Sequence, residues 1–172
     1  MLKRFVFIGF IGLSLCISVS ANEIQEAHKA YFSNNIVKAE KIFTKLCKKG
    51  NFDACVGCMN LGSDYLNGID YTKAKKLLEL SCNVGGVGVG CSMLGKMYYG
   101  GYGVVKNIDI AGSYANKACN SKDNYGTGQR YFGCALEGQI LMEKSFISFS
   151  KACETGNTDA CDVIKSVAGE TK

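Results

Sequence analysis

Ten of the 172 residues are cysteines, and no other side chain in this sequence offers as much chemistry. Cysteines ligate zinc, cycle as redox pairs, or cross-link a chain in an oxidising compartment. Zinc needs a second close pair beside Cys55-x-x-Cys58, and the sequence holds none. A thioredoxin-like redox pair follows a strand and works beside a cis-proline loop, whereas no strand is predicted ahead of Cys55 and the chain has no proline. Disulfides remain, and neither a metal nor a cofactor is expected. The single histidine, His28, excludes any site built on two or three imidazoles and reads as a partly exposed helix residue. Gly85-Gly86-Val87-Gly88-Val89-Gly90 has the glycine content of a phosphate loop, but it follows a helix and lacks Gly-Lys-Ser/Thr, so it reads as a flexible turn. Ser148-Phe149-Ser150-Lys151 sets a serine three residues before a lysine; a working nucleophile also needs a base and oxyanion donors within hydrogen-bond reach, and none can be placed.

The elements that must position these residues recur. Cys47, Cys82, Cys119 and Cys153 are separated by 35, 37 and 34 residues, a period near 36 that marks an array of structural repeats. The phrases leading to them are alike: FTKLC (43–47), LELSC (78–82), ANKAC (115–119) and FSKAC (149–153). So are CKKGNFDAC (47–55) and CETGNTDAC (153–161), and, between the cysteines, LGSDY (61–65) and LGKMY (94–98), the latter continuing through YGGYGVVKN to Asn107. Apolar residues fall at helical spacing in Ile36, Val37, Ala39, Ile42, Phe43 and Leu46, and again in Tyr71, Ala74, Leu77, Leu78 and Leu80. The stretch before each, such as 91–99, has a helical pattern too, with Gly62 and Gly95 marking close approach of a neighbouring helix. Asn67-Gly68 and Gly100 to Gly103 supply turns. One unit is therefore an αα-hairpin, and four of them with a closing helix near 161–167 fill residues 22–172 as a single all-α repeat domain. A lone hairpin is too thin to bury its apolar face, so the units stack into an α-solenoid.

Composition and the first residues set the surroundings. Lys3 and Arg4, an apolar run from Phe5 to Ile17, and Val19-Ser20-Ala21 form the three regions of a secretion signal, cleaved after Ala21. The run is too short to span a bilayer, and Leu15 stands before Cys16 where a lipidation site wants a small residue. A secreted or periplasmic protein is expected, off the membrane once the signal is removed, with 151 residues, nine cysteines and a formal charge of +3. That mild basicity, without a Lys/Arg cluster, gives no reason to expect nucleic acid as a partner.

LGxxY, GxGVxKN, KAC and a short loop to a second cysteine together resemble the SEL-one-like repeats of the tetratricopeptide-related superfamily, and in this disulfide-rich form the Helicobacter cysteine-rich proteins. The match is fullest from Cys82 to Cys119 and extends over residues 22–172. The resemblance implies one disulfide per repeat, joining the end of one hairpin's second helix to the start of the next hairpin. That implies Cys47 with Cys55, Cys82 with Cys91 and Cys153 with Cys161. Cys119 and Cys134 depart from the family spacing: aligning 127–131 with LGKMY puts Cys134 about 15 Å along its helix. Either 121–131 is a loop that lets the two meet, or the fourth hairpin is degenerate. Cys58 is the odd thiol; it aligns with Cys91 if Leu-Gly sets the register, while Cys55 does if GNFDAC sets it. The chain is expected to be monomeric unless Cys58 links two copies.

The same resemblance implies penicillin binding and weak β-lactamase activity. Ser148 and Lys151 match the SxSK motif of serine β-lactamases, and Tyr114-Ala115-Asn116 matches a second motif of one class. Their order is reversed here and KTG is absent, and both strings occupy the same position of successive repeats, which explains them as helix residues. The leading expectation is a module that binds a protein or peptide, such as a host protein, or a peptidoglycan fragment; the alternative, a β-lactam-hydrolysing enzyme, rests on the resemblance. Tyr65, Tyr98 and Tyr131 recur at one repeat position and are expected to pack. Tyr99, Tyr102 and Tyr125 have no such slot and are the candidate exposed binding aromatics.

Overall fold

The computed structural model of the chain describes residues 9–123 and 127–169, with side chains described over 21–123 and 132–169. Among these residues there are eight helices and no strand: α1 (Gly9–Phe32), α2 (Ile36–Cys47), α3 (Phe52–Asn67), α4 (Tyr71–Asn83), α5 (Gly88–Gly100), α6 (Ile108–Cys119), α7 (Thr127–Glu154) and α8 (Thr158–Val167). No described helix is long and apolar enough to cross a membrane. Helices α1 and α2, α3 and α4, and α5 and α6 pair as hairpins, and each hairpin packs on the next to give an α-solenoid.

The repeat phase is set by caps. Asn35, Asp70 and Asn107 each stand twelve residues before a repeat cysteine, and their side chains accept from the amides of Lys38, Lys73, and Asp109 with Ile110. They start α2, α4 and α6 by satisfying amides that have no partner within the helix. Asn51 and Asn157 cap α3 and α8 in the same way, four residues before Cys55 and Cys161. Val87 holds that place at α5 and makes no side-chain cap. The next repeat compensates: the Asp123 carboxylate accepts from Gly88 N–H, and the Ser121 hydroxyl donates to Gly86 O at 2.9 Å.

One face of each second helix is shut away: Ala39, Phe43 and Leu46 on α2, Ala74, Leu78 and Ser81 on α4, and Ala111, Ala115 and Ala118 on α6 are all 0–3% exposed. Glycines make this possible. A Cβ on Gly57 would lie 2.4 Å from the Phe43 ring, and one on Gly62 2.8 Å from Leu78.

Four disulfides tie successive units: Cys47–Cys55, Cys82–Cys91, Cys119–Cys134 and Cys153–Cys161, with Cα separations of 4.5–4.8 Å. Cys58 is free and fully buried. Caps, not Leu-Gly, set the disulfide register: Cys55, Cys91 and Cys161 all sit four residues past a cap position, and α3 has three extra residues before its Leu-Gly.

The fourth repeat departs from the expected hairpin. Helix α7 runs 28 residues without a break, about 42 Å at 1.5 Å per residue. Gly133-Cys134, not residues 127–131, occupies the place of Gly90-Cys91. A Cβ on Gly133 would meet Cys119 N at 2.7 Å, as one on Gly90 would meet the Ser81 hydroxyl at 2.8 Å, and this close approach brings Cys134 to Cys119. The hairpin is lost for two reasons. Twelve residues separate Cys58 from the Asp70 cap and sixteen separate Cys91 from Asn107, but only seven separate Cys134 from Leu141, the position twelve before Cys153. That is less than two helical turns. Leucine at the cap position also offers no acceptor to start a new helix.

Candidate functional site

The sequence-derived enzyme residues do not converge. Ser148 is exposed on α7, and its hydroxyl donates to Lys144 O at 3.0 Å, within its own helix. Lys151 is exposed on the same helix. On α6, Tyr114 stacks on Tyr98 with centroids 5.8 Å apart, and Asn116 Nδ2 donates to Glu137 at 2.7 Å. These are packing and tethering contacts. Among the described residues, no group of three or more His, Cys, Asp or Glu side chains is placed to hold a metal ion.

The two described candidate aromatics, Tyr99 and Tyr102, differ in exposure. Tyr99 is half-buried against the core beneath α7, hydrogen-bonded to Glu143, with Lys106 Nζ 5.4 Å above its ring. That bond holds the Tyr99 phenol above its ordinary range and the Glu143 carboxyl below its own. Tyr99 is thus an α5–α7 tie and not the exposed aromatic expected. Tyr102 is 53% exposed in the α5–α6 turn, its ring 6.2 Å from Tyr71 on α4. Tyr125 lies outside the described residues. Of the recurring tyrosines, Tyr65 donates to Glu40 at 2.9 Å and Tyr98 stacks as above; the side chain of Tyr131 lies outside the description.

Cys58 cannot link two folded chains, because it is 0% exposed. Burial pushes its thiol up to about 12, with Glu40 adding to the shift and a hydrogen bond to Thr44 opposing it. A group so protonated and enclosed is a core residue.

The first helices of the three hairpins carry a feature that sequence reasoning missed. Two adjoining depressions, of about 330 and 270 Å³, lie along α1, α3 and α5 and share Tyr31 and Asn60. Ser63, Asp64, Met59, Val89 and Met93 line the first; His28, Phe32, Phe43, Asp53 and Val56 line the second. Tyr31 donates to Asp64 at 2.6 Å, a bond that with some burial pushes the phenol up to about 12 and bridges α1 to α3. No lysine or arginine lines either depression, whereas α2 and α4 carry Lys38, Lys41, Lys45, Lys73, Lys75 and Lys76. The sequence signal was available. In Gly-Cys-x-x-Leu-Gly at 57–62 and 90–95, the four recurring residues pack, and the variable pair places Asn60 and Met93 in the groove.

The Sel1 repeat family matches residues 56–85 and 88–123, the α3–α4 and α5–α6 hairpins. The chain carries Sel1 repeats. The helices before and after, including the fused α7, lie outside those matches. Two curated relatives match part of the chain: cytochrome c oxidase assembly factor 7A of Xenopus laevis is 39% identical over 87 residues, 48% of this chain and 36% of that protein. Cytochrome c oxidase assembly factor 7 of Xenopus tropicalis is 38% identical over the same shares. The match therefore spans about a third of these relatives' length. Sel1 repeats generally mediate protein–protein interactions, and a helical array with adjoining lined depressions along its first helices has the form of such a module.

Proposed function

We propose that this protein is an exported, disulfide-stapled Sel1 module whose groove along α1, α3 and α5 receives an extended segment of another protein, with a lysine or arginine seated among apolar side chains. The observation that carries the reading is the lining. Met59, Val89 and Met93 offer apolar contact, Asn60 and Ser63 offer hydrogen bonds, and Asp53 and Asp64 are the only Asp, Glu, Lys or Arg side chains in the lining, in a chain whose formal charge is +3 once the signal is removed. A groove more negative than the body around it selects and steers a cationic ligand. Export is supported by the signal-like first 21 residues and by four disulfides, which persist in oxidising compartments. The relatives' designation as assembly factors fits the same general role, since assembly requires binding other chains.

The test is selection from a library of short synthetic peptides in which one lysine or arginine is flanked by apolar residues, against oxidised protein. Asn60→Arg and Met93→Arg should weaken the selected peptide at least tenfold without lowering the melting temperature. Unchanged affinity in both variants would remove the groove from the account.

A further inference from the structure

Helix α7 is apolar on two opposite faces. Inward, Leu136 and Ile140 are 5% and 1% exposed in the core with α5 and α6, and on the same side Lys144 pairs with Asp109 at 2.6 Å and Glu143 with Lys106 at 3.6 Å. Outward, residues 138, 141, 142, 145, 149 and 152 fall on one stripe at 100° per residue. They are Gly138, Leu141, Met142, Ser145, Phe149 and Ala152, with no charge among them. Leu141 is 58% exposed, Met142 75%, Phe149 42%, and Phe146 at the stripe's edge 46%. A helix apolar on both sides is expected to be covered on both.

The repeat says what this stripe is. Counted from the cysteine, Ser145, Phe149 and Ala152 stand where Ala39, Phe43 and Leu46 stand on α2, and where Ala74, Leu78 and Ser81 stand on α4. Those residues are shut away by a neighbouring first helix that brings a glycine to the large side chain: Gly57 to Phe43, Gly62 to Leu78. Because α7 is fused, Gly138, the counterpart of Gly62 four residues past the Gly-Cys pair, is carried along the same straight helix. A Cβ built there meets nothing within 4 Å. The hole is open, and Phe149 is only partly covered.

We infer that a second copy of this chain covers the stripe, its α7 lying antiparallel across the first. The stripe is self-complementary about the point between residues 143 and 144. Gly138 then faces Phe149 of the other copy and Met142 faces Ser145, with Leu141 and Phe146 flanking the contact on its two sides. Each pair recurs by symmetry, as a two-fold interface requires. Glycine against a large apolar side chain repeats between copies the Gly62–Leu78 contact made within each. The four large side chains expose on the order of 400 Å² per copy at the 150–250 Å² an aromatic can bury. That is the size of a weak, concentration-dependent dimer.

Sedimentation velocity on the oxidised full chain from 1 to 500 μM is the test. The chain should pass from monomer to dimer within that range. Phe149→Asp should abolish the dimer, and Gly138→Leu, which fills the hole, should raise the dissociation constant at least tenfold while leaving the melt of dilute protein unchanged or higher, since the space is open in the monomer. A chain monomeric at 500 μM overturns the inference, as does a dimer unchanged in both variants.

Discussion

The four disulfides differ in what they hold, and removing them one pair at a time should separate two kinds of loss. Cys82 and Cys91 are 4% and 2% exposed and join the two central hairpins across a nine-residue separation. Replacing both by alanine releases a loop whose closure is worth about 2.5 kcal/mol in the chain-entropy treatment. It also leaves a small void in the core, about another 1 kcal/mol for the lost packing. At ~2–4 °C per kcal/mol for a chain of this length, the main thermal transition should fall by roughly 7–14 °C. Cys153 and Cys161 span eight residues, so the entropic term is nearly the same. Their side chains are half-buried, however, and among the described helices α8 packs on α7 alone. That replacement should free α8 and leave the main transition within about 2 °C of its original position. Circular-dichroism melts give the first quantity, and amide exchange across 158–167 gives the second. Equal shifts in the two variants, or none in the Cys82/Cys91 variant, would refute the stapled-solenoid reasoning.

Other consequences are smaller. The Ser81 hydroxyl is buried without a partner, so Ser81→Ala should raise stability by about 1 kcal/mol in denaturant titrations, whereas a loss would show that the hydroxyl is satisfied. Ile69 holds a φ of 64° in the α3–α4 turn at 70% exposure, a conformation costly for a β-branched side chain; Ile69→Gly should stabilise by about 1 kcal/mol in the same titration. The Cys58 thiol is held near 12 when folded, against an ordinary value of 9.0. The folded chain thus keeps a proton that the unfolded chain releases, so stability is insensitive to this group below pH 9 and declines above it. Urea midpoints of the wild type and Cys58→Ala from pH 7 to 10.5 should diverge only above pH 9, and parallel profiles would count against that assignment.

Much of the fold could be read from residues because the repeat encodes it redundantly. Helical spacing, a cap twelve residues before Cys47, Cys82 and Cys119, and glycines beside Phe43 and Leu78 all point to the same hairpin. The fourth unit shows what happens when two of these signals vanish together. With Leu141 at the cap position and five fewer residues before it than in the shortest complete hairpin, two helices become one. Reading 127–131 as a Leu-Gly segment hid that deletion, whereas Gly133-Cys134 would have shown it. The groove was less legible for a physical reason. Its side chains come from four helices, α1, α2, α3 and α5, and Asn60 and Met93 in it are positions that vary, while a search for recurrence finds those that pack. Tyr99 misled because an aromatic without a repeat slot looks free until its partner, Glu143 on α7, is known.

The most direct test of the central claim is an amide chemical-shift titration of the oxidised protein with the strongest lysine- or arginine-bearing peptide from the selection. The expected result is a set of saturable perturbations confined to α1, α3 and α5, largest at Tyr31, Asn60 and Met93. Perturbations centred instead on the α5–α6 turn at 101–107 or on the lysine-rich α2 and α4, with Asn60 and Met93 unmoved, would contradict it.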